Sequence, residues 1–480
     1  MAGRARIVLQ PRHAGAIALL GFLVLTMMAS TVRPALAQAP LPQRIVLTIL
    51  ADALDNTAGS GPVSRKNTLR VPDARWLRVV FATADLGEGS AIEVAGPDGA
   101  VHRLDARALR DWSNTSAYFN GAELSVTLSV PKGGRGSYRI ERVIADAPPS
   151  SAPDDRNVGI PIGIDDRAHT KNERVGRVVP VGCTAWRTAT GLFLSAGHCN
   201  GANFSTVQFN VPPSLANGTI RAPKPEDQYP VIAGSIIGSP IPAVKGNDWM
   251  IFRLGPPAAP PADPDRQLPF FRLVTPPAVP PTQLGQVTGY GVYPASRTGP
   301  WDARNQTEQT QVGPYLGLCT SASGQPTLNY EIDTAPANSG SPVFLPGTDI
   351  AFGIHTTGNR AADGTCTTAP SNLGTPSTNA NFLAALTNAV KGANDAAIFV
   401  DFAQPTTDPV GAGTPLNPYR DLATAAANAA AGQATVLNLA PGHYAPNGIV
   451  IAANAAPGSV IILGASAGTI GIGPYPRAGP

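Results

Sequence analysis

The chain has 480 residues, room for two or three domains at roughly 100–200 residues each. Only 14% of residues are charged, hydrophobic residues reach 43%, and Gly (50) and Pro (49) together exceed a fifth of the chain. This composition excludes a charge-driven disordered chain, carries no basic footprint for nucleic acid, and favours short strands joined by turns. The formal charge of +3 includes Arg4, Arg6, Arg12 and Arg33; without these four, 31 basic residues face 32 acidic ones and no electrostatic partner is implied.

Those arginines open a basic start followed by an apolar run from Ala14 to about Met28 and the small-residue sequence Ala35-Leu36-Ala37 before Gln38. This pattern predicts a secretory signal peptide over 1–37. The run is shorter than the roughly 20 apolar residues of a spanning helix. The remaining chain is therefore expected to be secreted or periplasmic, with no membrane association after cleavage.

From 38 to 146, Arg44–Leu50, Trp76–Phe81, Ala91–Val94, Glu123–Val130 and Tyr138–Ile144 are rich in β-branched and aromatic residues, separated by GPDGA and PKGGRG turns. They predict a small β-sandwich, an accessory or pro-domain. A Pro-rich linker follows at 147–157. Between about 158 and 392, short apolar runs recur between turn signals and end in NFLAALTNAV, a helical pattern starting near Asn381. Two all-β lobes and a terminal helix fit this segment, and the Pro-rich stretch Gly255–Pro281 falls where a connection between lobes would lie. The tail, 393–480, has an IFVDF strand, an Ala-rich helix expected from Arg420 to Ala431, and the strands ATVLNLA, GIVIAA and SVIILGA. Gly-punctuated strands after a helix predict a short parallel β-helix-like module, the alternative being a small sheet packed on its neighbour. The fold class expected is mainly β.

Cys183, Cys199, Cys319 and Cys366 are an even set in a chain read as exported, which favours disulfides over metal, and no pair is spaced as CxxC. Four cysteines allow three pairings. Chain order favours Cys183–Cys199 with Cys319–Cys366, each closing a loop inside one lobe.

Three separated segments carry candidate chemistry: LFLSAGHC with His198, GNDWMIFRL with Asp248, and APANSGSPVF with Ser339. A serine hydroxyl is a weak nucleophile until an imidazole takes its proton, and the imidazole needs a carboxylate to fix its tautomer and stabilise its cation. Each residue alone is unremarked; their joint occurrence carries the weight.

These segments resemble the trypsin-like, chymotrypsin-fold serine endopeptidases, with their A-x-H-C histidine segment, aspartate-led strand and G-x-S-G-x-P nucleophile loop. ANSGSPVF followed by GIHTTG is most similar to the glutamyl endopeptidase branch, and VTGYGVY near Gly289 matches the family's G-x-G strand turn. The resemblance covers about half the chain. It implies a double β-barrel with His198 and Asp248 in the first lobe and Ser339 in the second, acting on a polypeptide substrate. It further implies an oxyanion hole from the N–H groups of Ala337 and Ser339. Thr334 and His355 match positions that shape the acid-binding pocket, the alternative for His355 being a packing or wall residue without selectivity for Glu, and Thr356 to Gly358 should pair with substrate backbone. Two positions depart from the family. Ala337 replaces a glycine and resists left-handed backbone by roughly 1–2 kcal/mol, so the hole is expected to be imperfect or to form only with substrate. Asn338 replaces the aspartate that pairs with a freed N-terminus in digestive trypsins, so activation by that ion pair is not expected.

His13 leaves with the signal, and His102, His169 and His443 have no companion ligands at metal spacing, so no metal is expected. Neither GxxxxGK[ST] nor a strand-linked GxGxxG occurs, and no cofactor is expected. The N-terminal module looks like the small β-sandwich ahead of the protease domain in some secreted trypsin-like proteins, where it could act as inhibitory propeptide, folding aid or substrate-binding module. The tail resembles the start of pectate-lyase-like β-helices but lacks their carboxylate cluster. Two rival functions follow: a catalytically silent binding or adhesion protein on the same scaffold, and a carbohydrate-active β-helix protein carrying a protease-like passenger.

Overall fold

The computed structural model describes residues 39–147 and 160–405, apart from 240–242, 264–265, 280–282, 295–301 and 392–394, and then 408, 411–428, 435–440, 442–444, 460–464 and 470–472. The expected signal peptide, nearly all of the first linker and the GIVIAA segment lie outside the described residues.

The first strands are β1 (Gln43–Asp55), β2 (Val63–Arg70), β3 (Trp76–Leu86), β4 (Ala91–Ala95) and β5 (Val101–Leu104), followed by a short helix α1 (Ala106–Asp111) capped by Asp105. Then come β6 (Phe119–Asn120), β7 (Glu123–Val130) and β8 (Arg135–Asp146). Two four-stranded sheets result, in the orders β1-β8-β3-β6 and β2-β7-β4-β5. Alternation along β7 and β8 turns Leu124, Val126, Leu128, Tyr138 and Ile140 into a core shared with Leu77, Val79, Phe81 and Trp112, and the two sheets form the expected sandwich. β2 and β5 were not evident in the sequence.

The next segment holds β9 (Ala168–His169), β10 (Val175–Pro180), β11 (Cys183–Arg187), β12 (Phe193–Ser195), β13 (Phe204–Gln208), β14 (Gln228–Pro230), β15 (Ile237–Gly238) and β16 (Met250–Phe252). They pair as β14-β13-β10-β11-β12-β16-β15, and a bridge between Val231 and Leu254 draws β14 and β16 toward each other. A second set follows: β17 (Arg272–Leu273), β18 (Leu284–Gly289), β19 (Gln309–Thr320), β20 (Pro326–Tyr330), β21 (Pro342–Phe344), β22 (Ile350–Asn359) and β23 (Ser371–Pro376). Because β22 pairs with both β21 and β23, six of these strands close into a barrel, while the first set forms a half-barrel, an arrangement consistent with the chymotrypsin-like double barrel that the resemblance implied. The Pro-rich stretch after β16 leads into β17, which lies within it and pairs with β22.

Helix α2 (Ala380–Ala389), capped by Asn379, packs Phe382 and Leu386 into a core with residues of both barrels and Phe399 of the tail. In the tail, β24 (Ala396–Val400), α3 (Leu422–Ala427) and β25 (Thr435–Leu439) precede β26 (Gly442–Tyr444), β27 (Val460–Gly464) and β28 (Ile470–Ile472). β24-β25-β27 are parallel and in register, as are β26 and β28, the pairing of successive β-helix coils.

Contacts between these parts are polar as well as apolar. Leu41, Trp76 and Tyr118 share a cluster with Val179, Ile220 and Ala222, while Gln228 accepts from the Tyr118 N–H and donates to its carbonyl. Arg272 donates to Asp401 of the tail at 2.9 Å and also binds Asp349, and Gln404 donates to the Leu273 carbonyl. At the other end, the Ala39 and Leu41 N–H groups bond to the carbonyls of Gly182 and Pro180, and Gln306 donates to the Ala39 carbonyl. Ala39 is 4% exposed and packs with Val292, Ala335 and Ala337.

Candidate active site

His198 lies in a one-turn 3-10 segment, Gly197–Cys199, just after β12, and the Cys183–Cys199 disulfide ties that turn to β11. Glycine is required at 197, since a Cβ there would stand 2.2 Å from Ser239 Oγ and 2.8 Å from the Trp249 carbonyl. Asp248 precedes β16 and uses both carboxylate oxygens on His198: Oδ1 accepts from the His198 backbone N–H at 2.9 Å, and Oδ2 is 2.6 Å from Nδ1. The Thr375 hydroxyl of β23 accepts from the Asp248 N–H and donates to its carbonyl, both at 2.9 Å, so the second barrel holds the aspartate backbone. Burial pushes the His198 pKa down, but the charge and hydrogen bond of Asp248 outweigh it and hold the imidazolium above its ordinary value.

Ser339 is buried in the loop between β20 and β21. The loop is a sequence of tight turns, with Asn338 N–H donating to the Ala335 carbonyl and Ser341 N–H to the Asn338 carbonyl. Gly340 at φ +93° has no space for a side chain, because a Cβ would lie 2.1 Å from the Thr184 carbonyl. The Ser339 carbonyl accepts from the Thr184 N–H at 2.8 Å, and Cys199 Sγ is 3.9 Å from the same oxygen, which brings the serine loop against the disulfide that carries His198. Ser339 Oγ is 3.5 Å from the Thr356 carbonyl.

Ala337 adopts φ +77°, the left-handed conformation it was expected to resist. Its surroundings impose that geometry. The Thr184 hydroxyl donates to the Ala337 carbonyl at 2.9 Å, and the Ala337 methyl is enclosed by Ala39, Val292 and Ala335. Asn338 Oδ1 accepts from the Ala335 N–H and from Arg167, whose side chain is 1% exposed, pairs with Asp165 and donates to the Val292 carbonyl. Arg167 thus supplies a buried cation beside the position where an ion pair was not expected. Thr184, Arg167 and Thr375 carry no local signal, because their partners lie far along the chain.

The residues expected to shape an acid-binding pocket are deeply buried. His355 and Thr334 have no exposed surface, and His355 Nε2 and Thr334 Oγ1 are buried without a hydrogen-bond partner. His355 bonds through its backbone to Gly340 and Ser341, and its Nδ1 is 2.7 Å from Tyr330 Oη. Burial first, then the charge of His198, pushes its pKa down to about 3 against the opposing effect of Asp248. Thr356 and Gly358 continue β22 beyond its last ladder pairing with β21 at Ile354, with β23 on their other side.

Cys319–Cys366 forms the second disulfide, so both pairs follow chain order. Cys183, His198 and Cys199 bring metal-ligand atoms within 4.8 Å of one another, but both sulfurs are held in the disulfide. His102 is a packing residue of the sandwich, its Nδ1 accepting from the Ala117 N–H and its ring edge-on to Trp112.

No known family pattern and no curated protein matches the chain. Among solved structures it is similar to a Glu endopeptidase in complex with MPD, at 16% identity and TM-score 0.34 over 47% of this chain and 97% of that one. It is also similar to a thermostable serine protease, AL20, from an extremophilic microorganism, at 14% identity and TM-score 0.30 over 43% and 91% of the two chains. A third similar structure is that of HBP, at 11% identity and TM-score 0.31 over 44% and 91%.

Proposed function

We propose that the chain is a serine endopeptidase acting outside the cytoplasm, with Ser339 as nucleophile, His198 as general base and acid, and Asp248 as its orienting carboxylate. The observation that carries this reading is the two-point grip of Asp248 on His198, next to a serine loop packed on the same disulfide. With Nδ1–H held by the carboxylate, the His198 lone pair is on Nε2, the nitrogen that takes the Ser339 proton during attack on the peptide carbonyl. The same proton then goes to the leaving amine, and water repeats the sequence on the acyl-enzyme. The N–H groups of Ala337 and Ser339 receive the charge on the carbonyl oxygen, each such donor being worth about 2.7–4 kcal/mol. The φ of Ala337 supports a formed hole and removes the main motive for a silent binding protein. Two disulfides support an oxidising compartment, and no helix among the described residues is long and apolar enough to cross a membrane.

A preference for acidic side chains is part of the proposal. It is supported by the two buried, unpartnered atoms, Thr334 Oγ1 and His355 Nε2, since leaving such groups unsatisfied costs about 1–3 kcal/mol unless a ligand pairs with them. The hydrolytic reading is tested by fluorophosphonate labelling with peptide mapping and turnover of a peptide library. Label on Ser339, absent in His198→Ala, is expected, and peptidase activity persisting in Ser339→Ala would refute it. His355→Ala should reduce cleavage after Glu at least tenfold more than cleavage after Ala.

A further inference from the structure

The two ring nitrogens of His355 have different surroundings. Nδ1 faces Tyr330 Oη at 2.7 Å, while Nε2 is buried without a partner. The titratable groups acting on the ring are Tyr330 of β20, and His198 and Asp248 across the site. With a pKa near 3 the ring is neutral in the working range and holds one proton. Its location decides what the ring can bind. A proton on Nδ1 leaves a lone pair on Nε2, which repels a carboxylate; a proton on Nε2 makes that atom a donor.

The Tyr330 hydroxyl selects between these states. Tyr330 is fully buried, which raises its phenol pKa well above the ordinary value and keeps its single hydrogen in place. Two acceptors compete for that hydrogen: His355 Nδ1 at 2.7 Å and the Leu373 carbonyl at 3.2 Å. The shorter distance is near the optimum for an O–H donor, and the longer exceeds the usual range of about 2.5–3.0 Å. Donation to Nδ1 requires that nitrogen to be bare.

We infer that Tyr330 is a positioning residue: its O–H donates to His355 Nδ1, places the ring proton on Nε2, and makes His355 and Thr334 neutral donors for a substrate side-chain carboxylate. The inference rests on the acid preference proposed above and names the form in which the pocket reads it. An imidazolium receptor would lose about tenfold in affinity per pH unit above its pKa. A neutral donor pair has no such dependence.

The test uses the full chain and two peptides that differ only in Glu or Ala on the acyl side of the scissile bond, from pH 6 to 9. The ratio of their kcat/KM values cancels the protonation of His198, which both share. A ratio above about tenfold, constant within twofold across the range, is expected. In Tyr330→Phe the ratio should fall at least tenfold, with the Ala peptide changed less than threefold. A wild-type ratio falling tenfold per pH unit, or equal loss on both peptides in the variant, overturns the inference. Should Tyr330→Phe fail to fold, nitrogen NMR of the histidine-labelled wild-type chain reads the ring directly: a proton on Nε2 is expected, and one on Nδ1 overturns the assignment. That spectrum does not depend on turnover, so an inactive wild-type chain would refute the hydrolytic reading while the tautomer is still read. Active chain that cleaves alike after Glu and Ala overturns the inference with hydrolysis intact.

Discussion

At the level of single residues, Asp248 sets opposite pH dependences for activity and stability. His198 acts as a base only when neutral, and Asp248 holds its pKa above the ordinary value of 6.5. The acid limb of kcat/KM should therefore have its midpoint above pH 6.5. Asp248→Asn should move that midpoint down and lower kcat by about 10⁴, as read from pH–rate profiles. The stability conferred by the charged pair runs the other way: it is fully present below pH 6.5 and is lost as pH rises through the raised folded value. Ala337 is a second residue whose effect follows from magnitudes. Ala337→Gly relieves roughly 1–2 kcal/mol of left-handed strain, but loses about 0.8 kcal/mol of methyl burial and about 0.5–1 kcal/mol to unfolded-chain entropy. Stability should change by less than about 1 kcal/mol on these terms. Because the backbone already has the glycine-like conformation, kcat/KM should stay within about threefold; a hundredfold gain in peptide turnover would mean the alanine distorts the hole.

At the level of elements, the 335–341 loop is held from several sides, and Arg167 is the one charged tie. Arg167→Met leaves Asp165 and the Val292 carbonyl without their cation and removes one of the two donors to Asn338 Oδ1. A loss of about 3–5 kcal/mol in chemical denaturation is expected for breaking a buried pair, together with a kcat loss larger than the KM change if the loop carries the proposed oxyanion donors. Unchanged kcat in the folded fraction would reduce Arg167 to a structural tie. This loop also marks what the sequence made legible. His198, Asp248 and Ser339, which the fold brings toward one another, were open to selection from the sequence because each sits in a short local segment. Arg167, Thr184 and Thr375 were not, because their partners Asn338, Ala337 and Asp248 are 171, 153 and 127 residues away. The strands divide similarly. β7 alternates apolar and polar residues and was evident, whereas β2 (VSRKNTLR) is a sheet-edge strand with Leu69 as its one buried apolar side chain, and β5 is the opposite edge. Edge strands carry charge to discourage further pairing, and that removes the period-two signal.

On the scale of the whole molecule, composition and turn spacing were enough for the mainly β class and for the kinds of modules, because both depend on local patterning. The joints between modules were not readable, since both their apolar clusters and their polar pairs join residues far apart in the chain. Arg272 is the clearest joint, 12% exposed and shared between Asp349 and Asp401, with Asp401 only 3% exposed. Burial raises the Asp401 pKa and Arg272 opposes that rise. Arg272→Met should lower the melting temperature by several degrees, consistent with about 3–5 kcal/mol for an uncompensated buried charge. Limited proteolysis should then release the tail before the barrels are cut; release of the tail at the wild-type rate would show that apolar packing alone holds it.

The burial of Ala39 links the segment ahead of β1 to the serine loop. Ala39 is bonded through its backbone to Gly182 and Gln306, and it shares a buried cluster with Ala337 of the serine loop. A side chain larger than alanine at 39 would have to push into the buried cluster around Ala337, so a change at this residue would reach the loop that carries Ser339 although the two lie far apart in the chain.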